Sequence, residues 1–441
     1  MKFNLRAILP YFEITHARAI YKLACTFFFM FALMQTIQAQ DENGAKVCTV
    51  KIKVEINDSS GANEQPIRAR DVRLFRNGTL IKVWRGDVLK GQKQTTLEAT
   101  VPIIAGENRF TAYAFNLDNV KSVDSILYVT GSQELKRKGT LYLISVGINS
   151  YENPIFNLRY TVADARAFAD AARVSQMKVG NYERVEVAPL FDKDATKENL
   201  LMAFKILSGT SDESNMGSKS LPPALTKLKA VQPEDAVVVF FAGHGAARES
   251  RFYLLLYDIG FTGTREELKT EGLQTILSHS ISDLELEKVF EGIDAGQLLL
   301  VIDACNSGQA LEAQERRRGP MNSQGLAQLA YEKGIYILTA AQSYQAALEA
   351  VELGHGYLTY ALVEEGLKQG KADDDPQDNI LFAREWLDYA TARVPAMQEK
   401  KMEESRGINF GSDEEPKADA PKRDAQRPRV FYRRETERRS L

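Results

Sequence analysis

Cysteine and histidine are scarce in this 441-residue chain: three Cys, at 25, 48 and 305, and four His. No two cysteines form a C-x-x-C pair and the histidines lack zinc-ligand spacing, so neither a disulfide framework nor a structural zinc site is expected. A surplus of one charge is missing as well. The formal net charge of -3 gives no reason to expect nucleic acid as a partner. The apolar stretch near the N-terminus, Leu23 to Met34, is too short for a comfortable bilayer crossing, so no stable membrane span is expected. What remains is an ordinary globular composition, 44% hydrophobic and 26% charged, in a length that allows two or three domains.

Residues 1–40 read as an export signal. Lys2, Arg6, Arg18 and Lys22 precede the apolar core, and Thr36 to Gln40 offers a cleavage region. The expected locations are therefore periplasmic, cell-surface or secreted, with an uncleaved membrane anchor as the alternative. Cleavage near Ala39 leaves only Cys48 and Cys305 in the mature chain.

Residues 46–132 alternate with period two and are rich in turn signals. Val47 to Ile56, Val72 to Phe75, Leu80 to Trp84, Thr95 to Ile103, Asn108 to Asn116 and Ile126 to Val129 read as strands, and Asn77-Gly78 between two of them predicts a hairpin. Evenly spaced strands without helical periodicity predict a small all-β sandwich of immunoglobulin-like architecture, with a spacer or recognition role. Asn57 and Asn77 lie in N-glycosylation sequons.

From 138 to 395 strands and helices alternate. Leu141 to Ile148, Val185 to Phe191, Ala236 to Phe241, Phe252 to Leu256, Leu298 to Ile302 and Gly334 to Ala340 read as strands. Residues 157–173, Thr196 to Leu207, Ala224 to Val231, Ser282 to Gly292, Thr359 to Lys368 and Leu381 to Arg393 read as helices. Residues 258–280 read as an exposed loop containing a solvated His279. The alternation predicts an α/β fold, a mostly parallel sheet flanked by helices.

Two of its strands end in chemistry. Leu298 to Ile302 runs into Asp303, Ala304, Cys305, Asn306, Ser307 and Gly308; Ala236 to Phe241 runs into Ala242, Gly243, His244 and Gly245. The carboxyl ends of parallel strands are where ligands collect. A thiol becomes a strong nucleophile once a nearby imidazole takes its proton, so His244 and Cys305 form a candidate catalytic pair. The Gly245 N–H is a candidate oxyanion donor. The plainer readings are a buried structural cysteine for Cys305 and a loop histidine at a strand end for His244.

The succession of an apolar strand with GHG and an apolar strand with D-A-C-N-S-G resembles the caspase and metacaspase cysteine peptidases in their bacterial caspase-like form. Caspases proper carry Gln where Asp303 stands, and their His lies somewhat nearer the Cys than the 61 positions separating His244 from Cys305. These departures are similar to metacaspases, which implies cleavage after Arg or Lys. The resemblance implies that Asp164, in the L-x-x-x-x-x-D-A stretch from Leu158 to Ala165, joins Asp303 in an acidic pocket for a basic side chain. A first-turn helix acid is the plainer reading of Asp164. The expected partners are thus protein or peptide substrates with basic residues. No cofactor is required; the resemblance raises calcium activation, yet no compact carboxylate-rich loop is visible, and Asp258 and Glu312 are the weak candidate ligands.

Arg316, Arg317 and Arg318 follow Cys305 in a polar stretch and are candidate self-processing sites, as is Lys269. His355, in GHGYLTYAL, is a rival base ranked below His244 because it opens a helix. Residues 396–441 read as a charged, flexible tail whose RPRVFYRRE segment could dock back on the domain. Two alternatives to a caspase-like endopeptidase stay open: an Arg- or Lys-specific secreted peptidase of another family with a similar Cys-His fold, and a non-catalytic scaffold that keeps the fold for binding.

Overall fold

A computed structural model of the chain describes residues 28–40, 46–58, 68–211, 221–248, 251–306, 323–342, 354–373, 377–378, 380–407 and 427–433. Its first part is a β-sandwich of two antiparallel sheets. One sheet holds β1 (Phe28–Gln40), β2 (Lys46–Asn57) and β5 (Gln94–Ile103), in that order. The other has the order β4-β3-β6-β7, from β3 (Ala69–Arg76), β4 (Thr79–Asp87), β6 (Gly106–Asn116) and β7 (Ser125–Gly131). The period-two pattern places Val50, Ile52, Val54 and Ile56 of β2 against Val72, Leu74, Phe110 and Ala112 of the facing sheet. Asn77 and Gly78 both adopt positive φ, 51° and 86°, as a two-residue hairpin matched to strand twist requires. The Asn77 side chain accepts the Arg109 N–H at 2.8 Å and is 4% exposed, so this sequon is out of reach of glycosylation.

The second part is a three-layer α/β domain. Its sheet runs β12-β11-β10-β13-β14-β15, and β8 and β9 extend it from β10. The strands are β8 (Thr140–Gly147), β9 (Arg184–Phe191), β10 (Ala236–Arg248), β11 (Arg251–Leu255), β12 (Ile281–Ser282), β13 (Gln297–Asn306), β14 (Tyr336–Gln342) and β15 (Arg429–Phe431). Pairings β9-β8, β8-β10, β10-β13 and β13-β14 are parallel; β11, β12 and β15 are antiparallel additions. Continuous apolar runs in β8, β10 and β13 follow from burial on both faces.

Helices cover each face. α2 (Lys197–Leu207), α3 (Thr270–His279), α4 (Asp283–Glu291) and α5 (Ser323–Lys333) contribute Phe204, Ile276, Phe290 and Leu326 to one core. α1 (Thr161–Val179), α6 (residues 357–368) and α7 (Ala383–Gly407) contribute Phe168, Leu362 and Trp386 to the other. α6 starts as Tyr357–Thr359 and continues in π geometry through Tyr360–Lys368. Phe168 stacks on Phe240 of β10 at 4.4 Å and on Trp386 at 5.6 Å, tying α1 and α7 to the central strand. α4 starts with a capping box between Ser282 and Glu285, worth about 1 kcal/mol.

Three expectations change. Residues 224–231 form no α-helix: Pro223–Leu225 is a single 3-10 turn, and the helix-like spacing of Leu225, Leu228 and Val231 comes from an irregular segment burying all three. The expected loop at 258–280 contains α3, a mostly polar helix that fully buries only Ile276 and so shows little apolar pattern. α7 continues beyond 395 through Pro395 to Gly407, with Gln398 1% exposed.

The sandwich is docked on the α/β domain through arginines. Arg73 reaches Glu332 of α5 at 2.9 Å, Arg76 reaches Asp294 at 2.6 Å, and Arg85 pairs with Glu287 and Glu291 of α4. Lys333, 3% exposed, bonds Glu291 at 2.9 Å from the other side. The hairpin tip lies against Gly334, where a Cβ would fall 1.8 Å from the Gly78 carbonyl oxygen.

Candidate active site

At its carboxyl end β10 changes neighbour. Its first half runs beside β8, whose Gly147 is opposite Ala242; two residues later His244 is opposite Leu255 of β11. The strand order reverses between β8 and β10, with β9 on one side of β8 and β10 on the other, so His244 sits at the carboxyl end of a strand that borders the switch point. On the other side of β10 the register pairs His244 directly with Cys305 and Gly245 with Asn306. The two candidate catalytic residues are thus adjacent on neighbouring strands although 61 positions apart in sequence. Of the three cysteines, Cys48 is a buried thiol in the sandwich and Cys25 lies outside the described residues.

The imidazole is held by the loop after β8. His244 Nε2 lies 2.8 Å from the Phe156 carbonyl oxygen. A carbonyl can only accept, so Nε2 carries the proton and Nδ1 is the basic nitrogen of the neutral ring. Pro154–Phe156 is a 3-10 turn capped by Asn153, whose Oδ1 accepts the Ile155 N–H at 3.1 Å and whose Nδ2 donates to the Phe261 and Gly263 carbonyls, both at 2.9 Å. The Tyr151 hydroxyl accepts the His244 backbone N–H at 2.8 Å, and its ring lies 5.2 Å from the imidazole. Phe156 approaches the imidazole edge-on at 6.1 Å. Sequence reasoning missed both Tyr151 and Phe156; the signal was two aromatics in a polar loop just past the end of β8.

Gly245 is crowded on both sides. A Cβ there would come within 3.0 Å of the Phe252 ring and 3.1 Å of the Ala304 Cβ, so a side chain would push β11 and β13 apart.

The two acids meet one segment. Asp303, two positions before Cys305, accepts a hydrogen bond from Thr359 Oγ1 at 3.3 Å and is 5% exposed. Asp164, near the start of α1, accepts from the Gly356 N–H at 3.2 Å and lies 3.0 Å from His355 Nδ1. Both carboxylates are directed at residues 355–359, the approach to α6. The hydrogen bond to Asp164 raises the His355 pKa above its ordinary value; burial pulls the Asp164 carboxyl upward, opposed by His355 and the Gly356 amide. His355 is thus the partner of Asp164 at this acidic site.

Of the remaining candidates, Lys269 is exposed at the start of α3, and Arg316, Arg317, Arg318 and Glu312 lie outside the described residues. Asp258 is occupied by the chain itself: Oδ1 accepts the Lys197 N–H at 3.0 Å, and its carbonyl lies 3.0 Å from Nδ1 of His279. No cluster of three or more potential metal ligands occurs among the described residues. No described helix is long and apolar enough to cross a membrane.

A parallel sheet between two helix layers, with His and Cys side by side at a strand switch point, defines a caspase-type α/β domain. The caspase domain family model matches residues 142–406, well over half the chain, and the chain belongs to that family of cysteine peptidases, whose substrates are proteins. No curated protein sequence matches. Among solved structures, the fibronectin(III)-like modules of Clostridium thermocellum CbhA are similar at 13% identity, over 24% of this chain and 97% of that one, with a TM-score of 0.16.

Proposed function

We propose that this chain is a cysteine endopeptidase in which Cys305 and His244 carry the chemistry and a basic residue precedes the scissile bond. His244 Nδ1 takes the thiol proton, and the thiolate attacks the scissile carbonyl carbon. The backbone N–H groups of Gly245 and Cys305 face the oxygen as charge develops. The imidazolium then gives its proton to the leaving amine, and water, deprotonated by the same imidazole, releases the acyl group and restores the thiol. The observation that carries this reading is the register of His244 against Cys305, with Nε2 committed to the Phe156 carbonyl.

The preference for Arg or Lys rests on Asp164 and Asp303, which both point toward residues 355–359. A substrate cation entering there replaces His355 at Asp164. Self-processing after Arg316, Arg317, Arg318 or Lys269 belongs to the same specificity. Export by residues 1–40 completes the proposal; cleavage near Ala39 would remove nearly all of β1 and leave β2 paired only with β5.

The test is hydrolysis of short fluorogenic peptides ending in Arg, Lys or Asp by wild type and Cys305→Ala, each with and without calcium. Cleavage after Arg or Lys that is lost in the variant supports the Cys305 nucleophile and the basic-residue preference. Cleavage only after Asp removes the acidic-pocket assignment. No cleavage by wild type in any arm turns the assignment to a non-catalytic scaffold.

A further inference from the structure

The last described residues, 427–433, belong to no helix layer and yet touch both parts of the molecule. Arg429–Phe431 adds to the free edge of β14 as an antiparallel strand, with Phe431 opposite Ile337, Val430 opposite Leu338 and Arg429 opposite Thr339. Successive side chains then alternate between two receiving surfaces. Val430 and Tyr432 pack into the core under α1, α6 and α7, where Tyr432 stacks on Tyr336 at 5.7 Å with the Arg384 guanidinium 5.3 Å from its ring. Phe431 packs into the opposite core.

Arg433 follows Tyr432 and is 2% exposed. Its guanidinium carbon lies 4.2 Å from the ring centre of Phe75 and 5.2 Å from that of Tyr113, both in the sandwich, and 5.2 Å from Tyr331 of α5. Asp124, between β6 and β7, supplies a carboxylate at 3.7 Å. Burial pushes the Tyr113 hydroxyl up to about 12, so its ring stays neutral beside the cation. Three aromatic faces and an acid around one guanidinium are the arrangement cation–π attraction favours, and main-chain pairing with pockets for alternate side chains is how sheet edges bind extended peptides.

We propose that the β14 edge and the aromatic box of Phe75, Tyr113 and Tyr331 form a binding site for an extended peptide that carries an arginine two positions after a strand-paired aromatic residue, and that residues 427–433 of this chain are its occupant. The segment is held as a ligand. It clamps α5 and β14 of the α/β domain to the sandwich from the side opposite β13.

The experiment uses the full chain carrying Cys305→Ala, so that its outcome is independent of peptidase activity, with a recognition sequence for an unrelated protease inserted between residues 408 and 426. After the cut, the C-terminal fragment co-elutes with the body in size-exclusion chromatography, and the same protein carrying Arg433→Ala releases it. The emptied body then binds a labelled peptide of residues 427–435, and the peptide with Arg433→Ala binds roughly thirty-fold more weakly. Retention of the fragment equally with and without Arg433 overturns the aromatic-box assignment. Immediate release of the wild-type fragment overturns the site, as does an emptied body that dimerises through β14 and ignores the peptide.

Discussion

His355 Nδ1 and Asp164 Oδ1 lie 3.0 Å apart although 191 positions separate them, and this pair joins the start of α1 to the approach to α6. Asp164 holds His355 protonated above the ordinary imidazole range. The group's folded-state pKa exceeds its unfolded value, so its stabilisation is complete below the unfolded pKa and fades as pH rises through the folded one. His355→Ala should lower stability by about 1–2 kcal/mol at pH 5. The deficit, read from denaturant unfolding of wild type and variant, should shrink as pH rises through the raised His355 pKa; a constant deficit would mean packing alone.

The same pair carries a kinetic expectation. If a substrate guanidinium takes the place of His355 at Asp164, a protonated His355 competes with it. KM for an Arg-ending peptide should therefore fall as pH rises through the His355 pKa. In His355→Gln the KM trend should flatten. A KM profile unchanged by that substitution would remove the acidic site from substrate recognition.

Tyr151 and Phe156 hold the His244 strand end through a hydroxyl oxygen and a backbone carbonyl oxygen. Tyr151→Phe removes the acceptor of the His244 N–H and should lower kcat by about ten-fold, the equivalent of one lost hydrogen bond in positioning. Steady-state kinetics check this, and the pH optimum should stay in place. Loss of all activity would make Tyr151 a participant in the reaction.

Much of this arrangement was legible because the sheet is built from runs whose composition matches their surroundings. β8, β10 and β13 are buried on both faces, so their uninterrupted apolar runs announced strands, and the polar residues ending two of them marked the candidate site. The Asn77-Gly78 hairpin was legible because its geometry demands those residue types. The contributions of Phe156 and Asn153 were not, because a carbonyl has no sequence signature and Asn is common in loops. The role of His355 was obscured similarly: nothing local in GHGYLTYAL says that Asp164 faces it. The docking of the sandwich was also hidden, since Arg73, Arg76 and Arg85 look like solvated residues of an alternating strand until Glu332, Asp294 and Glu291 are seen opposite them.

That docking gives the last expectation. Arg73 and Glu332 bury their side chains to 7% and 12% exposure at the junction of sandwich and α5, bonded at 2.9 Å, and the Arg73 guanidinium also covers the Phe115 ring at 4.8 Å. Removing one partner from such a pair strands a buried charge, whereas replacing both by apolar groups removes the desolvation cost with the attraction. Glu332→Ala should therefore destabilise by about 3 kcal/mol, and the double variant Arg73→Met with Glu332→Leu should recover most of that loss. Thermal unfolding of the two variants and wild type distinguishes the cases. A double variant as unstable as Glu332→Ala would show that the junction depends on the ion pair itself, and that the sandwich is positioned by charge geometry more than by the area it covers.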